Sequence, residues 1–240
     1  MTLAKESWPF AAPFALLAAL LLATGHPGWA AAALAGGLAI LAFFRIPRRR
    51  FAGAESIVLA AGNGVVTGVE TVEDPAVGAG RFHRIVTFLS VFDVHVQRIP
   101  ASGEVVASRY AAGRKVAAFR ADAGLVNEQH LTVIRRPNGD LVGVRQIAGL
   151  LARRVVCYVK AGDLVTRGGT LGLIKFGSRV DLILPAAYRV LVQKGDRLRD
   201  GATPVAEASD SSGGEHPHPP PLSPLPHLPH LPDTAADTPP

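Results

Sequence analysis

Two uncharged apolar runs near the N-terminus constrain this chain more than any other feature, because both need a nonaqueous neighbour. They cover residues 8–24 and 29–44, and Gly25-His26-Pro27-Gly28 separates them. Pro and Gly together stop a helix, so one continuous helix is excluded and a helical hairpin is predicted. At about 1.5 Å per residue each arm reaches roughly 24–26 Å, a little short of a hydrocarbon core of about 30 Å. Lys5 precedes the hairpin, and Arg45, Arg48, Arg49 and Arg50 follow it. The positive-inside rule therefore places both ends on the cytoplasmic side of a cell membrane. Trp8 and Trp29 stand at arm ends, where interfacial anchors sit. A cleaved signal peptide and a buried core hairpin are the competing readings, and a second apolar run directly behind the first speaks against the signal peptide.

Behind the basic cluster the pattern changes. Residues 51–208 carry short Val/Ile-rich runs punctuated by Gly, at 56–59, 64–70, 84–89, 103–108, 131–135, 141–147, 152–159, 170–174, 180–184 and 188–192. Short branched runs between turn signals predict a mainly β domain, with a short turn at Ala148-Gly149-Leu150-Leu151. An internal repeat stands out at an offset of 33 residues: Gly162-Asp163 followed by Gly168-Gly169-Thr170 recurs as Gly195-Asp196 followed by Gly201-Ala202-Thr203. The paired units resemble the halves of a lipoyl/biotinyl-type flattened barrel, so the expected fold is a barrel-sandwich preceded by an α-helical membrane hairpin. Residues 209–240 are rich in Pro, His and Leu and read as a disordered tail. His216, His218, His227 and His230 lie in that tail without a fixed framework, and no metal site is expected.

Composition narrows the function classes. A single cysteine, Cys157, excludes an intrachain disulfide and reads as a structural thiol within an apolar strand. A net charge of +6 with only 6% aromatic residues argues against base-stacking platforms, so no nucleic-acid partner is expected. Phosphate-binding glycine loops, the nucleophile elbow and Cys-x-x-Cys are missing. The remaining chemistry lies around Asp93-Val94-His95, Arg98, and the stretch from Ile174 to Asp181. There, Gly177-Ser178 is expected at a turn between two apolar strands, where the Ser178 hydroxyl can face the Gly177 carbonyl.

Three segments in order then resemble the short form of phosphatidylserine decarboxylase. They are Asp93-Val94-His95-Val96-Gln97-Arg98-Ile99-Pro100, the run from Arg145-Gln146-Ile147-Ala148-Gly149 to Val156, and Ile174-Lys175-Phe176-Gly177-Ser178-Arg179-Val180-Asp181. The likeness covers about residues 43–208, including Phe43-Phe44-Arg45 after the hairpin. It implies a proenzyme in which Ser178 attacks the Gly177 carbonyl. The ester then eliminates, and hydrolysis leaves a pyruvoyl group on an α-chain of 178–240 beside a β-chain of 1–177. That group is implied to form a Schiff base with the amine of membrane phosphatidylserine and to yield phosphatidylethanolamine. His95 matches the family's proton donor, and Asp93 either orients His95 or caps a turn. Lys175, Arg179 and Arg98 are candidates for the lipid phosphate or carboxylate, with solvated surface roles as the alternative. A homo-oligomer is left open.

Two departures stand out. The family commonly carries Asp-Gly where this chain has Asn63-Gly64, and Arg98 occupies the position of a second histidine found in long forms. Asn cannot act as a carboxylate base. Self-cleavage then relies on backbone strain with His95 or His83 as base, or it is slow or absent. The rival reading is an uncleaved, membrane-anchored lipoyl-like binding or scaffold homologue. Lys160 and Lys194, which precede the Gly-Asp turns, read as exposed strand ends rather than as carrier lysines.

Overall fold

The structure, a computed structural model, describes residues 1–113, 126–149, 154–174 and 178–208. The chain opens with strand β1 (Thr2–Leu3) and a single 3-10 turn (Lys5–Ser7), followed by helices α1 (Trp8–Ala23) and α2 (Pro27–Phe43). Strand β2 (Arg45–Ile46) then pairs back onto β1. The β domain follows as β3 (Ile57–Leu59), β4 (Gly64–Glu73), β5 (Arg81–Leu89), β6 (Val96–Arg98), β7 (Gly103–Ala111), β8 (Gln129–Arg135) and β9 (Leu141–Ala148). It continues with β10 (Val155–Cys157), β11 (Leu164–Val165), β12 (Thr170–Ile174), β13 (Ser178–Pro185), β14 (Arg189–Val190), β15 (Arg197–Leu198) and β16 (Pro204–Glu207).

An eight-stranded antiparallel sheet, ordered β11-β7-β8-β9-β13-β5-β4-β15, curls over two three-stranded sheets, β10-β12-β6 and β14-β16-β3. Strand periodicity explains the core. On β13, Val180, Leu182 and Leu184 face inward with Ile85, Leu89, Ile134, Leu171 and Ile174. Ile183 faces outward into a smaller cluster with Val77, Phe82 and Leu131. This is the mainly β barrel-sandwich expected from the sequence.

The repeat is also structural. Gly162 N donates to the Val105 carbonyl and Val105 N to the Asp163 carbonyl, and in the second copy Gly195 N donates to the Val66 carbonyl and Val66 N to the Asp196 carbonyl. In each turn the Asp carboxylate caps a backbone amide three residues earlier, Lys160 in one and Gln193 in the other, at 2.9 Å. Both clasped valines sit at register shifts, Val105 in the β7–β8 pair and Val66 in the β4–β5 pair. Gly162 and Gly195 have φ of 91° and 99°, a region in which a Cβ is strained. The repetition seen across 33 residues therefore extends to the two hairpins that the turns clasp.

The hairpin has an inside-out pattern. Ala11, Ala18, Ala30, Ala33 and Gly37 are buried, while Leu16, Leu20 and Leu38 are exposed. Small residues let the helices approach so closely that a Cβ at Gly36 would lie 2.8 Å from the Phe14 ring. Small-in and large-out is the arrangement that helices adopt when their surroundings are as apolar as leucine. Residues Lys5–Ala23 form a helical stretch long and apolar enough to cross a membrane, whereas α2 is shorter. At its base the hairpin docks onto the barrel through Ala4 and Phe44 packed against Val94, Val96 and Leu173. Tyr158 adds a hydrogen bond of 2.8 Å to Glu6.

Most predicted runs became strands, with two differences. The run at 188–192 holds only the two-residue β14, and β6, β11, β15 and β16 had no prediction because runs this short lack a readable period. Ser178, expected at a turn, is instead the first residue of β13, because Leu89 on β5 and Ala148 on β9 pair with it from both sides. Cys157 is half-buried on β10, its Sγ 3.4 Å from the Val159 carbonyl. Part of the turn expected around Ala148-Gly149, and the whole tail 209–240, lie outside the described residues.

The matched turns make a paired prediction. Gly162→Ala and Gly195→Ala each force a side chain into positive φ at a cost of about 1–2 kcal/mol. The two should lower the thermal midpoint in detergent by similar amounts, and the double variant should lose about the sum.

Candidate active site

Ser178 stands where a central strand begins, and its side chain is fully buried. Alternation along β13 puts Oγ on the inner face with Val180 and Leu182. Among the described residues the hydroxyl has no hydrogen-bond partner. An unsatisfied buried hydroxyl costs about 1–3 kcal/mol, so it marks a place where stability has been given up.

A second orphan lies beside it. Gln146 on β9 is opposite Val180, and Ala148 is opposite Ser178, so Gln146 is a diagonal neighbour of Ser178 on the same face. Its Nε2 donates to Gln97 Oε1 at 2.8 Å and, more weakly, to the Val156 carbonyl at 3.4 Å. Gln97 Nε2 in turn donates to the His95 carbonyl at 2.9 Å. Both glutamines are fully buried, and Gln146 Oε1 has no partner among the described residues. The pair bridges the eight-stranded sheet to β6 and so ties the Ser178 neighbourhood to the His95 main chain.

His95 is buried, and its ring lies on Phe43 of α2 with centroids 4.3 Å apart. Its Nδ1 is 2.9 Å from the Asp93 carbonyl. A carbonyl only accepts, so Nδ1 carries the proton and Nε2 holds the lone pair in the neutral ring. Burial pushes the imidazole pKa down to about 4, Arg45 adds to the depression, and Asp93 opposes it. The His95 carbonyl also accepts from Ile174 N at 3.1 Å. Ser178 is only four positions beyond Ile174, a span of at most about 14 Å.

The Asp93 carboxylate points elsewhere. It accepts from Ser90 N and Ser90 Oγ, both at 2.9 Å, from Arg197 at 2.9 Å and from Asn63 Nδ2 at 3.3 Å. The Asp93 side chain thus closes the turn at Ser90, while its backbone carbonyl contacts His95 Nδ1. Asn63 enters as a donor to Asp93. His83 lies six residues from Leu89 along β5, roughly 20 Å from the end of the strand that pairs with Ser178, and it faces Thr71.

The cationic candidates have other partners. Arg179 lies on the outer face of β13 and makes a two-point pair with Asp181 at 2.6 and 2.8 Å, both residues buried. Arg98 is also buried and joins Asp200 at 3.3 Å, the Pro47 carbonyl at 2.6 Å, the Gly168 carbonyl at 3.3 Å and Thr170 Oγ1 at 3.2 Å. Both guanidiniums, expected either to face a lipid anion or to be solvated, are thus buried and engaged by protein partners. Lys175 and Gly177 lie outside the described residues. Sequence reasoning overlooked Gln97 and Gln146, whose one signal was an uncharged polar residue at an inward position of an apolar run.

A family model for phosphatidylserine decarboxylase matches residues 37–206, a span that holds Asp93, His95, Gln146 and Ser178. The chain belongs to the phosphatidylserine decarboxylase family. A phosphatidylserine decarboxylase proenzyme of Saccharopolyspora erythraea is 44% identical over 205 residues, covering 83% of this chain and 87% of that protein. A proenzyme of the same name from Mycobacteroides abscessus is 47% identical over 178 residues, covering 73% of this chain and 74% of its own. Another, from Symbiobacterium thermophilum, is 40% identical over 205 residues, 85% of this chain and 94% of its own. Membership makes the chain a decarboxylase. The family match begins within α2, so it takes in the hairpin base that carries Phe43 but not α1.

Two outcomes follow. Because His95 is neutral in the folded state and titrates near 6.5 when unfolded, the unfolded chain takes up a proton first as pH falls. Stability should be full above about pH 6.5 and drain as pH drops toward 4; His95→Gln should flatten that limb in thermal unfolding scans, leaving the smaller share of His130, also lowered by burial. Arg98→Met strands the buried Asp200 carboxylate with only Arg49 at 3.5 Å, and denaturant unfolding should show a loss of about 3–5 kcal/mol.

Proposed function

We propose that the chain is a proenzyme that cuts itself between Gly177 and Ser178 and then converts phosphatidylserine to phosphatidylethanolamine at a membrane surface. The observation that carries this reading is the buried, unpartnered hydroxyl of Ser178 at the head of a strand held on both sides. A structural serine at that place would have found an acceptor or been replaced by alanine. The orphan atom therefore fits a pyruvoyl precursor. A pyruvoyl group made from Ser178 supplies an electrophilic carbonyl that takes up the electron pair left when carbon dioxide departs.

The chain's own residues supply the rest. His95 Nε2, the ring nitrogen turned away from the Asp93 carbonyl, is the base that takes the Ser178 hydroxyl proton during maturation. In turnover the same atom takes a proton as the substrate amine binds and delivers it to the carbon that loses the carboxylate. Burial makes a protonated His95 a strong acid, which favours that delivery. Each turnover consumes one proton, which solvent replaces on the amine product. The Asp93 carbonyl fixes the tautomer, and Asn63 and Arg197 steady the Asp93 turn. Maturation thus proceeds without a carboxylate at position 63.

The hairpin of residues 1–50 holds the 51–208 β domain against the bilayer on its cytoplasmic side. Leu16, Leu20 and Leu38 present apolar surface to the acyl chains. Phe92, 86% exposed, extends that surface beside the hairpin, its carbonyl 3.4 Å from Arg45. With Phe43 against His95, the site lies next to the anchor, where a lipid head group arrives. Lys175 is the cation proposed for its phosphate.

Intact-mass measurement of the detergent-purified protein tests the reading. Chains of 1–177 and 178–240 are expected, the smaller lighter by one ammonia than its sequence requires. Ser178→Ala should remain one chain and release no carbon dioxide from phosphatidylserine. A wild-type protein that stays whole supports the uncleaved binding homologue instead.

A further inference from the structure

The Gln97–Gln146 pair leaves one atom unused, and its orientation is fixed by logic that starts from a carbonyl. The His95 carbonyl can only accept, so the group of Gln97 facing it is Nε2. Gln97 Oε1 then faces Gln146 and requires a donor, so Gln146 presents Nε2 to it. The second hydrogen on that nitrogen points to the Val156 carbonyl. Gln146 Oε1 is left as a neutral acceptor, fully buried, on the face that bears Ser178. A diagonal pair across two strands has Cα atoms about 7–8 Å apart, within the reach of a glutamine side chain.

The chemistry of that oxygen selects its ligand. It repels a carboxylate or phosphate and suits a group rich in N–H. We propose that Gln146 Oε1 is the acceptor for the amino group of the substrate, holding the nitrogen beside residue 178 while Gln97 locks the amide and His95 in one frame. This rests on the decarboxylase reading and names the residue that recognises the reacting end of the lipid. As a neutral carbonyl oxygen, Gln146 Oε1 accepts an N–H from the amine both before and after it has given up its extra proton.

Gln146→Met keeps the bulk and removes the acceptor; Gln146→Glu, kept as the neutral acid by burial, keeps the acceptor and donates an O–H to Gln97 Oε1 in place of Nε2. Three quantities are read: self-cleavage by intact mass, KM and kcat on phosphatidylserine in mixed micelles, and the yield of lipid fixed to the small chain by cyanoborohydride, seen as added mass. The Met variant is expected to cleave like wild type, with KM raised at least tenfold and fixation reduced in proportion. The Glu variant is expected to recover most of both. Unchanged KM and fixation in the Met variant overturn the proposal, and so does equal loss in both variants, which would mark packing alone. A folded Met variant that fails to cleave overturns it too, by assigning the oxygen to maturation. Should the Met variant not fold, the Glu variant decides: a KM at or below wild type supports the role, and a tenfold rise overturns it. A wild-type chain that neither cleaves nor fixes lipid overturns the decarboxylase reading itself, a result separate from all of these.

Discussion

The architecture depends on one buried cation. Arg98 gathers Asp200 from the second repeat unit, the Gly168 carbonyl and Thr170 from the first, and the Pro47 carbonyl from the segment that follows the hairpin. No single sheet joins these three parts. A guanidinium can do so because its fan of donors reaches several carbonyls and a carboxylate at once, which neither lysine nor histidine matches. Arg49 approaches the same carboxylate at 3.5 Å and ties the basic cluster to the barrel. The cluster that reads as a topological signal in the sequence is therefore partly an internal joint.

That joint leaves the reacting region free to be unsatisfied. The inner face of the large sheet is apolar along β13, yet Ser178 and Gln146 each bring an unpaired oxygen into it. Two such costs in one small area are tolerated because the surrounding strands are held from both edges. The polar link from Gln146 through Gln97 to the His95 carbonyl crosses the sandwich where water is scarce, so its geometry is set by the protein alone.

The sequence showed the class of fold through its period-two runs and showed the repeat through Gly-Asp turns, because both are local patterns. It also marked His95, Asp93 and Ser178 through the order of three segments. What it did not show arises from contacts between distant segments. Arg98 and Arg179 look like cations for a lipid anion until their buried partners Asp200 and Asp181 appear. Asn63 looks like a lost base, and in the fold it is a hydrogen-bond donor to a residue thirty positions away. Ser178 looks like a turn residue because Gly precedes it, whereas two flanking strands draw it into the sheet. Gln97 and Gln146 carry only a faint local signature, an uncharged amide on an inward position, since their meaning lies in facing each other.

The position of β13 has a further consequence for the molecule after the proposed cut. That strand is hydrogen-bonded to β5 on one edge and β9 on the other, and both neighbours precede the cut. The later segment also supplies β14 and β16, which close the barrel on β3. The two products would therefore stay interwoven like a split protein whose fragments were never apart. An uncut chain would refold as one molecule, whereas the halves of a cut chain would have to meet by diffusion. The proposed cut would thereby make the stability of the fold depend on protein concentration, as it does for any complex of two chains.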